Sequence, residues 1–197
     1  MIIESGSGNG KVAQVDDDNR LLTASFNIPF QHLLAKDYNK TFQVFGTATL
    51  ANGTVTPLHV KNNSSDKVYV ITYMRWQIID QAGGTAIPNA SNYMTFGYGP
   101  TYSANGSSVA PVNLSSGSNV VSSLVVYDSN PTLSGSSTVF DRHYPKAEAD
   151  MYSYNKEGAA LLLPGSTFAA QYVGDHTSGL VYTRMSLAEV GLNGYSG

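Results

Sequence analysis

The sequence contains no cysteine, so disulfides, thiolate metal sites and cysteine nucleophiles are excluded. Charge is scarce too: Asp, Glu, Lys and Arg make up 13% of the 197 residues, about half the share in an ordinary domain. Ser, Thr, Asn and Gly supply the missing polarity. A net charge of −3 gives no basic footprint for nucleic acid, and tyrosines without a cationic groove hold bases poorly. No stretch reaches the roughly 20 apolar residues of a membrane span. The opening MIIESGSGNGK has no apolar core of signal-peptide length. Neither nucleic acid nor a membrane is an expected partner.

Recognisable catalytic patterns are equally thin. The four histidines, His32, His59, His143 and His176, include no pair at metal-ligand spacing. No Gly-x-Ser-x-Gly elbow occurs. No catalytic residue, metal ligand or cofactor is expected, and the chain is not read as an enzyme. The densest polar cluster is DRHYPKAEAD, with Asp141, Arg142, His143, Glu148 and Asp150. A histidine beside carboxylates can bind a metal or move protons. With no partner cluster elsewhere it reads as a solvated loop with local ion pairs. Seven Asn-x-Ser/Thr sequons, among them Asn62 and Asn63, follow from the Asn, Ser and Thr richness.

What the sequence does hold begins with GSGNGKVAQVDDDNRLLTASF, Gly6 to Phe26. A phosphate loop fails here, because Val12 follows Gly10-Lys11 and Ser5 stands in the first glycine's place. The dinucleotide fingerprint fails at Lys11, the third glycine's position. An EF-hand loop fails as well: Asp16 and Asp18 alternate, but Arg20 takes the third ligand position and Leu21 that of the required glycine. The aspartates read as a turn, since Asp and Asn satisfy their own backbone there. The glycines read as a flexible lead that gains order only against something else, having too little apolar surface to fold alone.

Beyond it the pattern is of strands and turns. TFQVFGTATL (Thr41 to Leu50), TVTPLHVK after an Asn-Gly turn, and KVYVITYMRWQIID (Lys67 to Asp80) are rich in β-branched and aromatic residues. NVVSSLVVYD, GAALLLP, STFAAQYVG and GLVYTRMSLAEV continue the series. Gly97 to Gly117 and Ser129 to Thr138 read as long Gly/Ser/Pro-rich loops. One short helix is expected in PFQHLLAKDYNK, where Phe30, Leu33, Leu34 and Tyr38 share a face. Many short strands without a βαβ rhythm predict an all-β chain, an antiparallel β-sandwich or jelly roll. Aromatic residues cluster in NYMTFGYGPTY (Tyr93, Phe96, Tyr98, Tyr102) and MYSYNK (Tyr152, Tyr154), both read as loops. Two readings stay open for these rings: a platform for sugar rings, or plugs for the core or a subunit contact.

Three blocks carry a resemblance. Gly8 to Ser25 runs from glycines through Val-Asp-x-x-x-Arg-Leu towards a strand. Thr56 to Met74 has an apolar strand ending in Lys-Asn-Asn before a second strand. Leu161 to Gly174 has a strand, a Pro-Gly-Ser turn and another strand. Together they resemble tailed-phage head decoration or cement proteins of jelly-roll type and related virion structural proteins, over about a third of the chain. The resemblance implies a virion protein made in the host cytoplasm and seated on the capsid surface. It implies the major capsid protein and further copies of the chain, as a homotrimer, for partners. It further implies an extended arm over residues 1–22 and a single jelly-roll-like domain over 23–197. Lys11, Asp16, Arg20 and Leu21 in the arm, with Tyr93, Phe96, Tyr98 and Tyr102, are the expected interface residues. A carbohydrate- or receptor-binding module of a tail or fibre is the alternative, and a glycan-processing enzyme the third reading.

Overall fold

The structure, a computed structural model, describes residues 3–4, 12–13, 40–79, 91–145 and 151–191, the side chains of 3–4, 12–13 and 154–159 excepted. The chain divides into two compact units, Met1–Phe30 and Gln31–Gly197. In the first, β1 (Ile3–Glu4) pairs antiparallel with β2 (Val12–Ala13), Ile3 opposite Ala13 and Glu4 opposite Val12. The glycine-rich residues between these two strands lie outside the described residues. The arm boundary expected at residue 22 lies outside the described residues. The short helix expected around Phe30 to Tyr38 lies outside the described residues.

The second unit is all β among the described residues: β3 (Thr41–Thr49), β4 (Gly53–Asn62), β5 (Lys67–Ile79), β6 (Tyr93–Tyr98), β7 (Thr101–Ala104), β8 (Ser107–Val109), β9 (Val112–Asn113), β10 (Leu124–Asp128), β11 (Thr132–Ser134), β12 (Thr138–His143), β13 (Met151–Leu162), β14 (Thr167–Gly174) and β15 (Leu180–Gly191). One sheet has the order β12-β6-β14-β4-β10-β8 and the other β13-β5-β15-β3-β9. All pairings are antiparallel. The two sheets bury one core between them, an antiparallel β-sandwich as the strand pattern predicts. Among the eight longer strands in chain order, the first pairs with the last (β3 with β15) and the second with the seventh (β4 with β14). The third pairs with the sixth (β5 with β13) and the fourth with the fifth (β6 with β12). A long hairpin is thus wound over two sheets, and β7 to β11 form an insertion at its tip.

Period-two alternation decides which side chains enter the core. Along β5, Met74, Trp76 and Ile78 are buried, while Tyr73, Arg75, Gln77 and Ile79 face outward and are half-buried. Along β15, Val181, Thr183 and Met185 alternate in the same way with Tyr182 and Arg184. Phe42, Leu58, Tyr69, Ile71, Trp76, Phe96, Phe168, Tyr172 and Leu187 bring large side chains from both sheets into one cluster. Pro57 stands inside β4, where a missing N–H would break a ladder. The register of β14 against β4 shifts between Ala170 and Tyr172, opposite Leu58 and Val55, and the irregularity accommodates the proline.

Three regions expected as loops carry strands. Residues 97–117 include β7, β8 and β9, residues 129–138 include β11, and MYSYNK opens β13. Strands of two to four residues are too short to show alternation. What does show is the turn chemistry between them: Gly99, Asn105, Gly106, Ser129, Asn130 and Gly135 all take positive φ. Conversely, NVVSSLVVYD is strand only from Leu124 onward, and Val121 is 81% exposed. The β7–β11 ribbon is tied to the six-stranded sheet. Asn130 accepts from Thr56 N at 2.9 Å and donates its own N–H to Thr56 O at 3.1 Å.

Candidate functional site

Two of the blocks that carry the resemblance meet in space, and Asn62 is the knot between them. Its Nδ2 donates to Lys67 O at 2.7 Å and Leu162 O at 3.0 Å. Its Oδ1 accepts from Ser64 N at 3.0 Å. Its backbone N–H donates to Ser166 O, and its carbonyl accepts from Gly165 N. The Lys-Asn-Asn and Pro-Gly-Ser elements are thus accounted for by the crossings between sheets. A fully buried Asn62 is also no glycosylation acceptor.

Four of the eight expected interface residues are described. Lys11, Asp16, Arg20 and Leu21 lie outside the described residues. Tyr93, Phe96 and Tyr98 belong to β6 and Tyr102 to β7, so they do not form one loop platform. Phe96 is 1% exposed and packs on Phe168, which makes it core and not a presented ring. Tyr98 is half-buried between Phe140 and Phe168, and burial raises its hydroxyl pKa. Tyr93 faces outward beneath Arg142, whose guanidinium lies 4.4 Å from the ring centroid. Tyr102 stacks on Tyr127 at 3.7 Å with the rings parallel. In the second group, Tyr152 stacks on buried Trp76 at 4.3 Å, and the Tyr154 side chain is not described. Of DRHYPKAEAD, Asp141, Arg142 and His143 are on β12, with His143 Nε2 3.4 Å from Asp141 Oδ1 and its ring edge-on to Phe96. Glu148 and Asp150 lie outside the described residues. Among the described residues no three His, Asp or Glu side chains gather as metal ligands do.

A concavity of about 410 Å³ lies on the outer face of the five-stranded sheet, across β3, β15 and β5. Registry builds it. Arg184 of β15 is directly opposite Arg75 of β5 on one side and Phe45 of β3 on the other. One step along, Tyr182 is flanked in the same way by Gln77 and Thr47. Directly opposite pairs have Cβ atoms about 4.5–5.5 Å apart, and like charges there repel. Among the described residues neither guanidinium meets a carboxylate. The Arg184 guanidinium lies 5.7 Å from the Phe45 ring, and its buried Nε has no hydrogen-bond partner among the described residues. Phe45 and Tyr182 are 44% and 37% exposed, so both rings present apolar surface beside the cations. The nearby Asp128 is occupied at β3, accepting from Thr47 N at 3.3 Å.

Neither arginine was singled out from sequence. YMRWQI and YTRMSL each place Arg on the outward phase of a strand, which alternation reveals. That the two strands are neighbours in this register is a tertiary fact.

A smaller cavity, about 190 Å³, lies on the outer face of the six-stranded sheet beside Tyr102, Tyr127, Lys61 and the buried His59. His59 Nε2 donates to Pro100 O at 3.0 Å, while its buried Nδ1 has no partner among the described residues. Burial lowers the imidazole pKa; the Pro100 carbonyl opposes this and Lys61 adds to it.

Comparison with protein-family models, with curated proteins and with solved structures finds no match to this chain. No helix among the described residues is long and apolar enough to cross a membrane.

Proposed function

We propose that this protein is a structural component of a phage virion, a decoration protein that binds the outside of the capsid as a homotrimer and adds contacts between capsomers. The observation that carries the reading is the winding of the eight longer strands. First-with-last pairing over two sheets supports the jelly-roll reading, an architecture common in capsid proteins. A separate N-terminal unit ahead of the sandwich supports attachment through an arm. The β12 edge supports self-association: among the described strands it closes the six-stranded sheet and exposes Val139 and Phe140, with Tyr144 exposed just after it. An edge with apolar side chains is a template for pairing with another chain. On this reading the protein is not an enzyme and works by surface complementarity alone.

Cosedimentation tests it. Recombinant protein mixed with shells of the phage that encodes it should pellet with them and leave the supernatant as shell sites fill. Protein that stays in the supernatant at every shell concentration would sink the reading. A receptor-binding tail or fibre module is the second reading, favoured by the arginine-lined groove.

A further inference from the structure

We propose that the groove across β3, β15 and β5 is a binding site for an acidic sugar, a monosaccharide residue that carries a carboxylate. The inference stands apart from capsid attachment, since a chain that fails to pellet with shells would still take this ligand.

Two observations point to an anion. Arg75 and Arg184 are held directly opposite each other, an arrangement that costs stability unless a negative charge lies between them. Neither has a carboxylate partner among the described residues, and Arg184 Nε is buried without an acceptor. Guanidinium forks match a carboxylate in bidentate geometry.

Two further observations point to a sugar as the carrier. Exposed rings, Phe45 and Tyr182, sit next to the cations on the same face. Aromatic faces offer the flat apolar surface against which the C–H face of a sugar ring packs, with the polar tip of tyrosine free for a hydroxyl. The volume of about 410 Å³ is in the range of small-ligand pockets. The floor argues against an extended acidic peptide. Such peptides add to a free sheet edge through backbone hydrogen bonds. Here β5 and β15 are both paired on each side, so their ladders are occupied.

The test is titration by calorimetry and saturation-transfer NMR, with N-acetylneuraminate and glucuronate as probes. Glucose, acetate, inorganic phosphate and an oligoglutamate peptide are the comparators. The wild type should bind at least one acidic sugar and bind it more tightly than any comparator. Arg75→Gln and Arg184→Gln should each weaken that binding about tenfold or more, the scale set by losing a charge-assisted bidentate contact. Phe45→Ala should weaken the acidic sugar and leave acetate unchanged. Arg75→Lys and Arg184→Lys keep the charge and lose the fork; each should also bind more weakly than the wild type. Circular dichroism checks that each variant is folded. Three results would each overturn the proposal: no acidic sugar bound by the wild type, undiminished binding by folded glutamine or lysine variants, or phosphate or oligoglutamate bound as tightly as the sugars.

Discussion

At the scale of single residues, buried polar groups carry the sharpest predictions, because a group removed from water must find its partners inside the protein. Asn62 is the clearest case. Truncation to alanine leaves the Lys67 and Leu162 carbonyls without their donor and the Ser64 amide without its acceptor. Asn62→Ala should cost about 3 kcal/mol, since each orphaned buried group costs about 1–3 kcal/mol. Urea denaturation of wild type and variant checks it; a loss below the resolution of the melt would show that water replaces the amide. His59 gives a pH dependence. Burial holds its pKa below the ordinary 6.5, so the unfolded chain takes the proton more readily than the folded one. Its contribution to stability is therefore complete well above pH 6.5, falls as the pH drops through the unfolded value, and levels off below the folded one. His59→Gln removes this titration. The stability difference between wild type and His59→Gln should shift against the wild type between neutral and mildly acidic pH, and a difference that stays flat would contradict the assignment.

At the scale of elements, close approach between the sheets sets the tolerances. Gly46 on β3 faces the β4 backbone, and a Cβ there would run into the Pro57 carbonyl. Backbone cannot swing aside as a flexible side chain does. Gly46→Ala should destabilise by about 1–3 kcal/mol, the usual cost of overpacking. A calorimetric melt reads this directly, and an unchanged Tm would mean that β3 and β4 separate without penalty. The same element shows how far local pattern carries: β-branched and aromatic density identified the strand and the Asn-Gly turn its end, but not the partner that makes glycine obligatory at one position. Edge strands are the second element-scale feature. Placing a lysine on an exposed edge opposes strand addition without touching the core. Val139→Lys should shift the mass seen by light scattering from trimer to monomer and leave the β circular-dichroism signal intact. A wild type that is already monomeric, or a variant that stays trimeric, would remove β12 from the interface.

At the scale of the whole molecule, the division after Phe30 predicts separable roles. Deleting Met1 to Phe30 should leave the β circular-dichroism signal and the melting of the sandwich in place, while binding to capsid shells is lost. A truncated chain that fails to fold would make the N-terminal unit part of the structural core. One that binds shells as well as the full chain would move attachment to the sandwich surface. By itself the sequence determined the class of this protein. β-Branched and aromatic density marked the longer strands, and turn residues marked their ends; both are local properties of the chain. The absence of cysteine removed whole chemistries without any structure. Only the tertiary structure decided that Phe96 is core, that Asn62 ties two crossings, and that Arg75 and Arg184 are register partners lining one groove. Those facts depend on which distant strands pair and in which register, and pairing is set by the whole core closing at once. No window of neighbouring residues contains that information.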